Sequence, residues 1–344
     1  VTTHERELFH PVDLCTPDGL RLNRDALGWS RRPLHRANLH GCFGLNKRWD
    51  YWAILAGDLV VSTTFADLDH LALADVYWVD LASGETGGQA VVTRAGEGIS
   101  LPDVPGSVPL HIEREGFALT INDHEEWTTM VASWTEPDGR KSAFDVVVAL
   151  AQGHESLNVV IPWSDELFNF TSKHQARSAT GALSVGARHW SIGAMGDDAA
   201  WGVLDVGRGR WPARINWNWG GGAGRSGEHV LGLQFGAKWT EGSGFTENAL
   251  IVDGRLSKLG RELEWEYDWD HPMRPWRVSD PGGQLNCELS PRFDKHTALE
   301  VNADLGSETH QVFGTWSGRF ESDDGVRGEF AGLQGFAEEA RQRW

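Results

Sequence analysis

Period-two alternation, interrupted every few residues by glycine, constrains this chain more than any other feature. In LEWEYDWD, apolar Leu263, Trp265, Tyr267 and Trp269 alternate with acidic Glu264, Glu266, Asp268 and Asp270. Successive side chains of a strand point to opposite faces, so this is the pattern of a half-buried strand. RINWNWG likewise puts Ile215, Trp217 and Trp219 on one face and Asn216 and Asn218 on the other. SAFDVVVAL and SLNVVIPW read as strands packed on both faces or nearly so. Between such runs stand LASGETGGQ, TEPDGRK, WGGGAGRSGEH, TEGSG, VDGR, DPGGQ and SDDGV, drawn from 41 glycines in all. Short strands joined by glycine turns predict an antiparallel all-β protein, not βαβ units. The best helix signal is the terminal FAEEARQRW, with its acids early and bases late as the helix dipole favours, so a short C-terminal helix is expected there.

At 344 residues the chain suits two domains. The polar, poorly periodic SDELFNFTSKHQARSATG marks the expected junction, between Trp163 and Gly181. The division expected is residues 1–170 and 171–344, each an antiparallel barrel or sandwich.

Charge and motif content narrow the function. Lys and Arg number 31 against 49 Asp and Glu, a net charge of −18, which opposes binding to nucleic-acid phosphates and to anionic membranes. Cys15, Cys42 and Cys287 are far apart and form no C-x-x-C pair, so neither a disulfide framework nor a cysteine zinc cluster is expected. VTTHERELFH lacks an apolar signal region, and no apolar run reaches the roughly 18 residues of a membrane helix. A cytoplasmic location without a membrane span is the expectation. GGGAGRSG has the G-x-G-x-x-G spacing at Gly222, Gly224 and Gly227 but does not lead from a strand into a helix, and the chain has no G-K-[ST] or G-x-S-x-G segment, so no nucleotide or other cofactor is expected.

What stands out chemically is 18 Trp against 3 Tyr. Indole offers a large apolar face and one N–H donor, which suits a pocket for a hydrophobic or ring-shaped molecule. Trp211, Trp217 and Trp219 fall in the single stretch GRGRWPARINWNWGGG, and each tyrosine stands beside a tryptophan: Tyr51 in KRWDYW, Tyr77 in VYWVDL, Tyr267 in EWEYDW. On a strand, Trp49 and Tyr51 share one face, and Asp50 and Trp52 the other. The expected ligand wall is Trp49, Tyr51, Trp52, Trp211, Trp217, Trp219 and Trp239, with Arg208 holding a polar or carboxylate head.

Candidate acid–base groups lie where polar residues interrupt apolar stretches. In DVGRGRW, Asp205 is one candidate, and an Asp–Arg pair closing a strand turn is the plainer alternative. In TFADLDHLALADVYW, Asp67, Asp69 and His70 sit among Phe65, Leu68 and Leu71, where desolvation would raise an inward carboxyl; a β-turn with solvated acids is the alternative. His70 has no second histidine at recognisable spacing, and no metal site is expected. Glu247 follows a glycine turn beside Asn248, and Tyr267 on its aromatic face is a possible proton donor.

Six long segments together, LNRDALGWSRRPL, KRWDYWAI, TFADLDHLALADVYWVDL, DVGRGRWPARINWNWGGG, GLQFGAKWTEGSGFTENAL and GFAEEARQRW, resemble the bacterial domain-of-unknown-function family 2804 over nearly the whole chain. More distantly, GTWSGRFESDDGVRGEFAGLQGFAE resembles tandem lipocalin-type proteins, a group that includes carotenoid hydratases and tocopherol cyclase. That resemblance implies two lipocalin-like barrels and an apolar ligand, and assigns no residue. Together the expectations are a small hydrophobic or ring-shaped ligand and, if the protein is an enzyme, cofactor-independent hydration, dehydration, isomerisation or cyclisation. A non-catalytic lipid or pigment carrier and a carbohydrate hydrolase using paired carboxylates are the alternatives.

Overall fold

Strands account for nearly all regular structure in the computed structural model, which describes residues 4–94, 97–193 and 199–343. Among these residues the one helical piece is the 3-10 turn Arg24–Ala26. A 13-stranded sheet collects every strand from Trp29–Ser30 to Ala200–Arg210 apart from a two-residue bridge, Val12–Asp13 with His35–Arg36. A 9-stranded sheet runs from Arg214–Ser226 to Arg327–Arg343. All pairings within both large sheets are antiparallel, as the glycine-turn pattern predicts. Each sheet curls around its own apolar core. One core holds Trp52, Phe65, Trp78, Leu119 and Phe144, and the other Phe235, Trp276, Leu289 and Trp316.

Two expectations meet a different structure. The terminal segment is not a helix: Arg327–Arg343 is a 17-residue strand between Arg214–Ser226 and Leu305–Glu321. Trp344, the last residue of the segment, lies outside the described residues. Local helix propensity and dipole placement amount to a few tenths of a kcal/mol per residue, less than two full ladders of sheet hydrogen bonds and the burial of Phe336, Ala337 and Ala340 supply. The expected junction at 170/171 falls inside the strand Phe168–Val185, which is paired within the first sheet, and the chain passes from one sheet to the other at 211–213.

The polar character of Phe168–Val185 has a physical origin. Residues 168–177 are all buried, polar Thr171, Ser172, Lys173, His174 and Gln175 included. This strand carries the contact between the two sheets, where Gln175 Nε2 donates to Gln234 Oε1 at 3.1 Å. Its ladder with Ala200–Arg210 slips between His174 and Arg177, and Ala176 takes a left-handed φ of 58°. Apolar seams on either side complete the junction of the sheets. One packs Trp219, Phe313 and Phe336 against Ala53, Leu55 and Val203, and the other packs Trp211, Trp239 and Ile251 against Trp29, Val159 and Ile161.

Candidate functional site

Register alone assembles the site. In the first sheet, Lys173 pairs with Asp205, Asp205 with Tyr51, Tyr51 with Thr64, and Thr64 with Asp75. Directly paired residues on neighbouring strands share a face, so these five side chains form one row. The second sheet presents a matching row, in which Gly236, Trp219, Glu338, Gln311 and Lys295 are paired in turn. The rows face each other, and Tyr51 Oη donates to Gln311 Oε1 at 3.3 Å across the gap. Between them lies a cavity of about 420 Å³, lined by both rows apart from Gly236, together with Trp49, Trp211, Trp217, Trp239 and Glu247. That volume falls in the range of small-molecule sites.

Tryptophans make the walls. Trp211 is the hub of a cluster: Trp239 stacks on it at 5.3 Å with planes 19° apart, and Trp49, Trp163 and Trp217 lie at centroid distances of 5.5, 5.0 and 5.7 Å. The indole N–H groups are turned to acceptors. Trp49 Nε1 donates to Asp205 Oδ2 (3.2 Å), Trp239 to Glu247 Oε1 (2.6 Å), Trp217 to Glu338 Oε1 (2.7 Å), Trp211 to Asn169 Oδ1 (3.1 Å) and Trp219 to Gln234 Oε1 (3.3 Å). Three of the five therefore hold a carboxyl group in place.

At the floor, Lys173 Nζ lies 2.7 Å from Asp205 Oδ1 and 3.1 Å from Glu247 Oε2, and 4.7 Å from the centroid of the Trp219 ring. Thr171 Oγ1 donates to Asp205 Oδ1 at 3.2 Å. All three charged residues are buried. A single ammonium cannot offset two carboxylates, so burial pushes the Glu247 carboxyl up to about 7 despite Lys173, and the nearby Asp205 adds to the rise. Burial opposes the Lys173 charge, yet its two carboxylate partners hold its pKa above the ordinary lysine value.

Glu338 stands apart from that cluster. Burial raises its carboxyl to about 7, opposed by the hydrogen bond from Trp217 and increased by the charge of Asp205. Across the cavity, burial raises Asp75 and lowers Lys295, and each charge partly restores the other. The Lys295 ammonium lies 4.2 Å from the Tyr77 ring centroid.

The structure distributes the sequence candidates unevenly. Asp205, Glu247, Trp49, Tyr51, Trp211, Trp217, Trp219 and Trp239 all line the cavity. Trp52 lies in the core of the first sheet, since strand alternation sends it away from Trp49 and Tyr51. Arg208 is on the opposite face from Asp205 for the same reason. It is fully buried against Asp50, 2.7 Å away, and donates to the carbonyls of Trp49 and Gly207. Asp67, Asp69 and His70 form the turn between Leu59–Asp67 and Leu71–Asp80. Asp67 Oδ1 accepts from the Asp69 N–H, and Asp69 Oδ2 accepts from the backbone of Gly44 (2.6 Å) and Asn46 (3.0 Å), while His70 is exposed beside Phe43. Tyr267 lies on the other face of the second sheet. It stacks on Trp276 at 4.1 Å, donates to Glu339 Oε2 and accepts from Lys238.

The sequence reading missed Lys173, Glu338 and Lys295. Glu338 was hidden by the expected helix; as a strand, the terminal segment sends Glu338 to the cavity and Glu339 to Tyr267. Lys173 was hidden by the polar stretch expected to be the domain junction.

Fold and site together define an all-β protein of two curled sheets with a tryptophan-walled, carboxyl-bearing cavity between them. The chain belongs to the family described as domain of unknown function (DUF2804), whose pattern it matches over residues 5–344. No curated protein matches it in sequence. Solved structures similar to it include kievitone hydratase from Nectria haematococca, 13% identical over 87% of this chain and 89% of that one, with a TM-score of 0.47. A Nitrosomonas europaea protein assigned as AttH is 14% identical over 87% and 93%, with a TM-score of 0.49. No residue role is transferred from either. No helix among the described residues is long and apolar enough to cross a membrane.

Proposed function

We propose that this protein binds a hydrophobic, ring-bearing small molecule between its two sheets and catalyses proton transfer to or from it, as in hydration, dehydration, isomerisation or cyclisation. The observation that carries the proposal is Glu338, a buried carboxyl raised to about 7 on the wall of an indole-lined cavity. A general acid works best with a pKa near the working pH, and an ordinary surface glutamate is too acidic for that role. Glu338 is the proton donor or acceptor in this scheme, with its orientation fixed by Trp217. The Lys173–Asp205–Glu247 cluster binds the polar group of the ligand. Indole faces stabilise positive charge developing on carbon through cation–π attraction.

The test is incubation of the protein in deuterated water with a panel of terpenoid and polyketide olefins and ketones. Deuterium should enter at carbon in at least one compound class, and Glu338→Gln should abolish the exchange while leaving binding in place. Binding without exchange in any class would reduce the protein to a carrier, and exchange unaffected by Glu338→Gln would remove the assigned acid.

A further inference from the structure

The hairpin Leu285–Asn302 with Leu305–Glu321 carries a second chemical cluster on the face opposite the cavity. His296 and His310 are directly paired across the two strands, between the cavity-lining pairs Lys295–Gln311 and Thr297–Thr309. The imidazoles stack with centroids 4.2 Å apart and planes 4° from parallel. Glu308 Oε1 lies 3.2 Å from His296 Nε2, and candidate donor atoms of His296, Glu308 and His310 all lie within 4.8 Å of one another. We propose that these three residues form a binding site for a divalent transition metal of the zinc class.

The donor set suits that class. Two imidazoles and one carboxylate make a common three-ligand set for zinc, leaving a fourth position for water. His310 is already oriented for the task. Its Nδ1 lies 2.8 Å from Asp294 Oδ2, so an Nδ1–H donated to that carboxylate leaves the Nε2 lone pair for a metal. Asp294 is half-buried, and its Oδ1 is buried without a hydrogen-bond partner, so this carboxylate serves the imidazole and not solvent. Trp269 packs edge-on against His310 at 4.6 Å and limits its rotation. His296 and Glu308 are exposed enough to admit an ion, while His310 anchors it. The metal would take the place of the direct contact between His296 Nε2 and Glu308 Oε1. It would also clamp the two strands at the pairs next to Lys295 and Thr297, which line the cavity.

Full-length protein stripped with a chelator is titrated with Zn²⁺ by calorimetry and with Co²⁺ by visible absorption. One equivalent of each should bind, with the intense cobalt band of a four-coordinate site. His296→Ala and Glu308→Gln should each weaken binding by about tenfold or more, and Asp294→Asn by a comparable factor through loss of the His310 orientation. His310→Ala removes a buried ring that packs on Trp269, so the exposed His296 and Glu308 variants carry the test. His229→Ala, at a solvent-facing His–Asp pair elsewhere, should leave the affinity unchanged. Absence of stoichiometric binding to the wild-type protein, or equal affinity in the His296 and Glu308 variants, overturns the assignment.

Discussion

The Trp49 indole lies on the bare backbone of Gly207, so closely that a Cβ there would sit 2.0 Å from its ring. The first glycine of DVGRGR is therefore a flat seat for a cavity wall, not a turn residue. It lets Trp49 reach both Trp211 and the Asp205 carboxylate. Gly207→Ala should displace the indole, destabilise the protein by about 1–3 kcal/mol and alter the near-UV circular dichroism. Combining it with Trp49→Ala should cost less than the two changes summed, because the clash is then gone. Strict additivity in thermal unfolding would argue against this packing.

Lys173 is the only cation within salt-bridge distance of Asp205 and Glu247 among the described residues. Lys173→Met leaves two buried carboxylates without a counter-charge and should cost about 3–5 kcal/mol at neutral pH. Raising the pH to about 9 should deepen that loss by ionising Glu247, whose carboxyl already lies near 7 in the wild type and rises further once Lys173 is gone. Adding Asp205→Asn and Glu247→Gln should recover part of it. Equal destabilisation at both pH values would show that packing, not charge, sets the cost.

Glu338 should leave a signature in the pH dependence of stability. Its folded carboxyl, near 7, lies above the ordinary 4.5. Between those values the folded state holds the proton more tightly than the unfolded chain, so stability falls as pH rises through this window and then levels off. Glu338→Gln removes the term. Relative to wild type, the variant should gain up to about 2–3 kcal/mol between pH 4.5 and pH 8. Urea unfolding of both proteins at several pH values checks this, and parallel curves would mean that Glu338 is ionised throughout.

Much of the fold was legible because burial acts on every second residue of a strand. RINWNWG and KRWDYW give the cavity-facing pairs Trp217–Trp219 and Trp49–Tyr51 directly. Where both faces are buried that code fails. Phe168–Val185 has the cavity on one side of Lys173 and packed polar neighbours on the other, so its side chains carry no alternation and resemble a linker. The terminal strand resembled a helix because its two adjacent glutamates serve different sites, Glu338 the cavity and Glu339 Tyr267. Asp69 looked reactive for the opposite reason. An inward carboxylate at a left-handed turn residue is fully used in holding the loop at Gly44 and Asn46. Pairing between distant strands, which sets both rows of the site, cannot be read from one strand at a time.

Ligand capture by the cavity is tested most directly with a variant that fills it. Ala66 is buried on Leu59–Asp67 and its side chain borders the cavity, so Ala66→Phe should occupy the space without opening either sheet. Wild-type protein and variant are titrated with the same terpenoid and polyketide panel, reading tryptophan fluorescence and confirming stoichiometry by native mass spectrometry. The expected result is saturable one-to-one binding of at least one apolar ring compound by the wild type, with quenching, and a loss of at least about tenfold in affinity in a variant that still folds. Binding of equal strength in the filled variant, or no binding by the wild type across the panel, would contradict a ligand site between the sheets.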